Sequence, residues 1–150
     1  MKAMSDDDDK YLKKLELRGI KPTAIRLLVL REMMRRSEAF SLQSLEDDLE
    51  TVDRSTIYRT ITLFLAHHLI HAIDDGTGSL KYAVCGDTCH CGEENGDLAQ
   101  DFHAHFYCTR CGKTYCMDEI HVPVVSVPAG FKVSEVTYVL RGLCNHCAAR

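Results

Sequence analysis

The stretch HAHFYCTRCGK, from His103 to Lys113, sets two histidines and two cysteines within nine residues. Imidazole nitrogen and thiolate sulfur are the donors that zinc and its first-row neighbours prefer. The Cys108-x2-Cys111 turn can present two thiolates to one ion. A second such pair, Cys144 and Cys147, follows after 32 intervening residues. Two knuckles of this kind close a tetrahedron. Soft sulfur donors favour zinc or an iron–sulfur cluster over Mg2+ or Ca2+. Nothing else in the chain suggests electron transfer, so a structural zinc is expected. The alternative is free thiols or a disulfide pair. The chain has eight cysteines in 150 residues. Its N-terminus lacks the basic-then-apolar layout of a secretory signal, which points to a reducing cytoplasm and favours metal. No apolar run approaches the ~18 residues of a membrane span, so no membrane partner is expected.

Stepping outward from these donors, 45% of the residues are hydrophobic and 27% charged, an ordinary globular balance. Asp6–Lys10, DDDDK, matches a protease-cleavage tag as well as a native acidic stretch and is set aside from the fold reading. The pattern over 11–17 suits a short amphipathic helix ended by Gly19. Pro22 suits the first turn of a second helix, whose apolar face carries Ile25, Leu28, Val29 and Met33. Leu42, Leu45 and Leu49 mark a third, with Ser41 as N-cap. Asp53 can cap a fourth, RSTIYRTITLFLAHH. Its core stripe is Ile57, Ile61, Phe64 and Leu65; its opposite face is Ser55, Tyr58, Arg59 and Thr62. LIHAID and SLKYAV then read as two strands of a hairpin around DGTG. Helices followed by a hairpin give the layout of a winged helix-turn-helix, with the fourth helix entering a major groove.

Residues 85–101 are Gly- and acid-rich without periodicity and read as a linker or Cys-rich insertion, with Cys89, His90 and Cys91 as metal ligands, a redox trigger or a loose tail of chelators. Beyond it, HFYCTR and KTYCMD look like strands flanking the first knuckle. The stretch around Pro123 and Pro128 has room for one short helix. KVSEVTYVLRGLC alternates like a strand before the second knuckle. The expected class is α+β. A winged-helix DNA-binding domain spans 10–84, and a zinc-containing α/β dimerisation domain spans 102–150.

The net charge of −4 at first argues against nucleic acid, but its distribution matters more. Residues 1–9 hold one Lys against four Asp, residues 10–82 twelve Lys/Arg against ten Asp/Glu, and residues 83–150 five against eight. The mildly basic middle segment is the expected reading head. Arg59 can bridge a guanine, Tyr58 can touch a thymine methyl or a phosphate, Ser55 shares their face, and Arg54 and Lys81 are candidate phosphate contacts.

GIKPTAIRLLVL, STIYRTITLFLAHHLIHAID, HAHFYCTRCGK and GLCNHC together resemble the ferric uptake regulator superfamily over roughly residues 11–147. The resemblance implies a homodimeric, metal-dependent repressor of palindromic double-stranded DNA operators, with no small-molecule substrate. It implies a DNA approach for Lys21, near an adjacent minor groove. It also implies a second, sensing ion between the two domains, held by His71, Cys85, His103 and His105. A thiolate at position 85 resembles the zinc-uptake branch, giving two Zn2+ per chain. Cys116 stands where many members carry Glu, and is either a donor replacing one histidine or a core residue. Phe102 and Ala104 cannot supply the further site some members have. Within the family, a ferrous-iron or peroxide sensor is the alternative. Outside it, a zinc-dependent or thiol-redox enzyme is weakened by the lack of an H-E-x-x-H helix, of a deaminase-type H-x-E partner and of a thioredoxin-like βαβ layout. A purely structural zinc module would leave His71, Cys85 and the His-x-His without a task.

Overall fold

A computed structural model describes residues 6–85, 103–121, 123, 125–134 and 136–150. The expected linker, apart from Cys85, lies outside the described residues, and so do Cys89, His90, Cys91 and Phe102. Four helices come first: α1 (Asp6–Leu17), α2 (Ala24–Met34), α3 (Leu42–Asp48) and α4 (Arg54–Ala66). A two-stranded hairpin follows, β1 (Ile70–Ile73) against β2 (Lys81–Val84). The C-terminal part is a three-stranded sheet of β3 (His103–Cys108), β4 (Thr114–His121) and β5 (Val139–Gly142), with α5 (Asn145–Ala148) at the end. Its strand order is β4-β3-β5, with β3–β4 antiparallel and β3–β5 parallel. This is the expected α+β class, a winged helix-turn-helix followed by a small α/β unit.

The local chemistry explains the helix ends. Ser41 and Ser44 form a reciprocal capping box at α3. Asp53 caps α4 by accepting from the Thr56 amide and hydroxyl and from the Ser55 hydroxyl. The Ser55 and Thr56 hydroxyls hold its carboxyl down at about 2. α4 ends in a Schellman motif, with the Leu69 amide donating to the Phe64 carbonyl and His68 at φ 57°. α1 ends the same way, with Gly19 at φ 68°.

One core binds the N-terminal helices and hairpin, built on Leu15, Leu30, Leu45, Ile57, Phe64 and Ile70. Ile57, Ile61 and Phe64 form the buried stripe of α4, as its periodicity requires, while Leu65 is only half-buried.

Four expectations need correction. α1 begins at Asp6, so DDDDK belongs to it; four aspartates in its first turn suit the positive end of the helix dipole. Thr23, not Pro22, adjoins α2 as its N-cap, its hydroxyl accepting from the Arg26 amide. α2 buries Val29, Leu30 and Met33 and leaves Ile25 exposed, because its contacts with α1, α3, α4 and β2 turn it that way. Lastly, the described residues between 123 and 138 form no helix, and the strand expected over 132–144 is confined to β5. The helical turn comes instead within the second knuckle.

Candidate metal centres and reading surface

The two knuckles meet at the end of the C-terminal sheet. Parallel pairing of β5 with β3 sets Cys108 opposite Gly142, two residues before Cys144. The Thr109 amide donates to the Gly142 carbonyl at 2.8 Å, and the Arg110 guanidinium to the Cys147 carbonyl at 2.8 Å. Cys108, Cys111, Cys144 and Cys147 thereby form one cluster. Zn–S bonds of ~2.3 Å place tetrahedral sulfurs ~3.8 Å apart. Cys111 and Cys144 Sγ lie 3.9 Å apart, matching that edge and far too long for a disulfide. The Cys111 and Cys144 amides point at Cys108 Sγ and hold that thiol at about 5, so it is a thiolate at neutral pH. Burial, and then the neighbouring sulfurs of Cys144, Cys108 and Cys111, push Cys147 up to about 12. Four crowded thiols cannot all ionise alone; a divalent cation is what would allow it.

A second cluster lies between the wing and the sheet. His71 projects from β1, and His105 and Cys116 face each other across β3 and β4. His71 Nε2 stands 3.3 Å from His105 Nε2 and 3.5 Å from Cys116 Sγ. Tetrahedral zinc with Zn–N of ~2.05 Å and Zn–S of ~2.3 Å requires edges of ~3.3 and ~3.6 Å. The two edges at His71 therefore match such a shell, and all three donor atoms lie within 4.8 Å of one another. Cys85, just past β2, places Sγ 3.2 Å from the other ring nitrogen of His71, Nδ1. Lys14 of α1 donates to the Cys85 carbonyl at 3.3 Å, tying the first helix to the same corner. Of the expected sensing donors, His71 and His105 come together with Cys116, while Cys85 lies against the opposite ring nitrogen of His71, outside that triad. The register shifts between His103 and Ala104, and the His103 side chain lies outside the described residues. Ala104 is buried.

Four residues from His71, Asp75 is 1% exposed at the root of the wing loop. Its Oδ2 accepts from Thr114 Oγ1 at 2.8 Å and Lys81 Nζ at 3.0 Å; its Oδ1 accepts from the Thr77 amide and hydroxyl. Burial pushes this carboxyl up, but the bonds from Thr77 and Thr114, with Lys81, outweigh it and hold the group at about 2. The sequence reading missed Asp75 because DDGTG also reads as turn chemistry alone. Only an acid beside a lysine six residues on hinted at more.

The surface expected to read DNA is α4. Tyr58 is 59% exposed, beside exposed Arg59 and Ser55. Arg59 Nε rests on the Ser55 carbonyl at 3.3 Å, and the Ser55 hydroxyl is occupied by Asp53. Arg54 pairs with Glu46 of α3 at 3.0 Å with its side chain largely exposed. Lys21 is exposed before α2. Lys81, expected at a phosphate, is turned inward to Asp75 with its side chain 17% exposed. Among the described residues no helix is long and apolar enough to cross a membrane.

Residues 17–136 match the model of the ferric uptake regulator family. No curated protein sequence matches significantly. Among solved structures, a zinc uptake regulator complexed with zinc and DNA is 20% identical, covering 96% of this chain and 94% of its own, with a TM-score of 0.61. The Vibrio cholerae ferric uptake regulator is 17% identical over 89% and 98%, with a TM-score of 0.55. The Helicobacter pylori ferric uptake regulator, described with three functional metal-binding sites, is 15% identical over 99% and 97%, also at 0.55. With a family match over most of its length and the fold to accompany it, the chain belongs to the ferric uptake regulator family of metal-responsive, DNA-binding transcription regulators.

Proposed function

We propose that this protein is a cytoplasmic zinc-responsive transcriptional repressor that binds palindromic operators as a homodimer, and that it is not an enzyme. Two Zn2+ ions serve each chain. One is structural, at Cys108, Cys111, Cys144 and Cys147. The other is regulatory, at His71, His105, Cys116 and Cys85, with His103 as the expected donor that Cys116 replaces. Cys85 is the proposed fourth donor, and since its Sγ faces Nδ1 of His71 it joins the shell by its own movement towards the Nε2 side, where His105 and Cys116 stand. With unit boundaries at 84/85 and 101/102, His71 precedes the linker, Cys85 opens it, and His105 and Cys116 follow it.

The observation that carries this reading is the convergence of wing and sheet donors on His71, at 3.3 and 3.5 Å. An ion there joins the reading head to the pairing half. It would fix the separation of two α4 helices at half-sites ~34 Å apart or a multiple. Two thiolates and two imidazoles favour Zn2+ over Fe2+ on softness and on the general affinity order. Exposed Val125, Val127, Phe131 and Val133 on the C-terminal part supply apolar surface for a second copy. Tyr58, Arg59, Lys21 and Arg54 form the DNA-facing set. Lys81 is left to the wing root.

The test is operator retention titrated with Zn2+, Fe2+ and Mn2+ under reducing conditions, alongside native mass spectrometry. Zinc at the lowest free concentration should switch DNA binding on, with two zincs per chain and two chains per particle. Switching by Fe2+ at physiological levels, with zinc inert, would move the protein to the iron-sensing reading.

A further inference from the structure

Wing and sheet touch at two rungs. At the first, His71 meets Cys116. At the second, the Asp75 carboxylate takes the Thr114 hydroxyl. Thr114 and Cys116 are two apart on β4, so both side chains leave the same face of the strand. His71 and Asp75 are the matching pair on β1 and the turn that follows it. Three further contacts reinforce the second rung. Arg141 of β5 donates to the Asp75 backbone carbonyl at 2.5 Å, its guanidinium lying over the Tyr107 ring at 5.4 Å. The Ala39 amide donates to the Thr114 carbonyl at 2.7 Å. Gly76, at φ 82°, leaves the space that Arg141 Nη2 fills; a Cβ there would meet it at 2.0 Å. None of these contacts uses a metal donor.

We propose that Asp75, Thr114 and Arg141 form a metal-independent clamp whose task is to position His71 against His105 and Cys116, so that it sets the zinc affinity of the regulatory cluster. The proposal rests on reading that cluster as the sensing site. A buried carboxylate satisfied by donors from two parts of the chain fixes the wing root in one place. The strand then delivers the imidazole four residues upstream within bonding range before any ion arrives. Residues that orient ligands in this way change metal affinity by about 10–100-fold when removed. The clamp also explains the inward turn of Lys81: its ammonium neutralises Asp75 at the second rung.

The experiment compares Thr114→Val with Thr114→Ser in the full chain. Zinc affinity is read by chelator competition for the first and second equivalents separately. Amide exchange of β1 and β2 is followed with only the first equivalent bound. The valine variant should keep the first zinc and the subunit state, bind the second about 10–100-fold more weakly, and exchange faster across the hairpin. Serine, which restores the donor, should return both the second-zinc affinity and the hairpin exchange to the parent values. Unchanged second-zinc affinity in the valine variant, or no rescue by serine, overturns the clamp. If valine also loses the first zinc, Arg141→Lys carries the test: parent-like second-zinc affinity in that variant overturns the proposal. A parent chain that takes up one zinc only overturns the sensing reading itself, and the clamp with it.

Discussion

The two clusters differ less in their donors than in where the donors come from. The four-cysteine cluster is built within one sheet, from a turn after β3 and a turn after β5, and both knuckles are held by backbone hydrogen bonds of that sheet. The mixed cluster draws His71 from the wing and His105 and Cys116 from the sheet, across a junction of few contacts. An ion in the first can only hold a shape that its own strands define. An ion in the second reports on the relation between two parts. The difference teaches that topology, more than ligand chemistry, separates a staple from a sensor.

The comparison breaks most severely at the staple. Cys108→Ala should remove the first zinc and, because structural zinc sites contribute folding energy outright, yield aggregated or monomeric protein in size-exclusion chromatography. A well-folded dimer with wild-type operator affinity would show the two clusters to be interchangeable.

A step smaller lies the sensor. Cys85→Ala and Cys116→Ala should each keep the first zinc and the dimer and lose the zinc dependence of operator binding, a ratio of ~5–150-fold for a coupling of ordinary size. His103→Ala should change that ratio less than either. If His103→Ala abolishes the response and Cys116→Ala does not, the fourth donor has been misassigned.

Acid should take the two regions apart in order. In metal-free protein the Cys108 thiolate, held low by two amides, contributes stability that is complete only above the ordinary thiol range and is lost as pH falls from there to about 5. Asp75 also has a depressed folded value, so its contribution is complete above the ordinary carboxyl range and lost only as pH falls from there towards about 2. Near-ultraviolet and amide-exchange titrations should therefore see the knuckle loosen before the wing root. Loosening in the reverse order would contradict this.

The smallest effect is expected at His68→Gly. A non-glycine residue at φ 57° carries left-handed strain, partly offset by the greater freedom glycine brings to the unfolded chain. The exchange should stabilise the N-terminal unit by up to ~1 kcal/mol in urea unfolding and leave the first zinc untouched.

How legible all this was follows from the range of the forces involved. Caps and stripes are local, so Ser41, Asp53 and the Ile57–Ile61–Phe64 face could be read directly. The knuckles were plain because Cys-x2-Cys is a local geometry whose partner has the same form. His71 and Cys85 were reachable through the resemblance and through hairpin pairing. The register shift at His103 and the parallel placement of β5 were not, since both depend on contacts tens of residues apart. Asp75 was hidden for a related reason: a turn aspartate and a buried inter-unit aspartate look alike until the chain folds.

Strand β4 begins three residues after Cys111 and reaches Cys116 two residues later. One short stretch of backbone thus serves as anchor at one end and as detector at the other. Loss of an ion from the four-cysteine end would slacken the strand on which Cys116 sits.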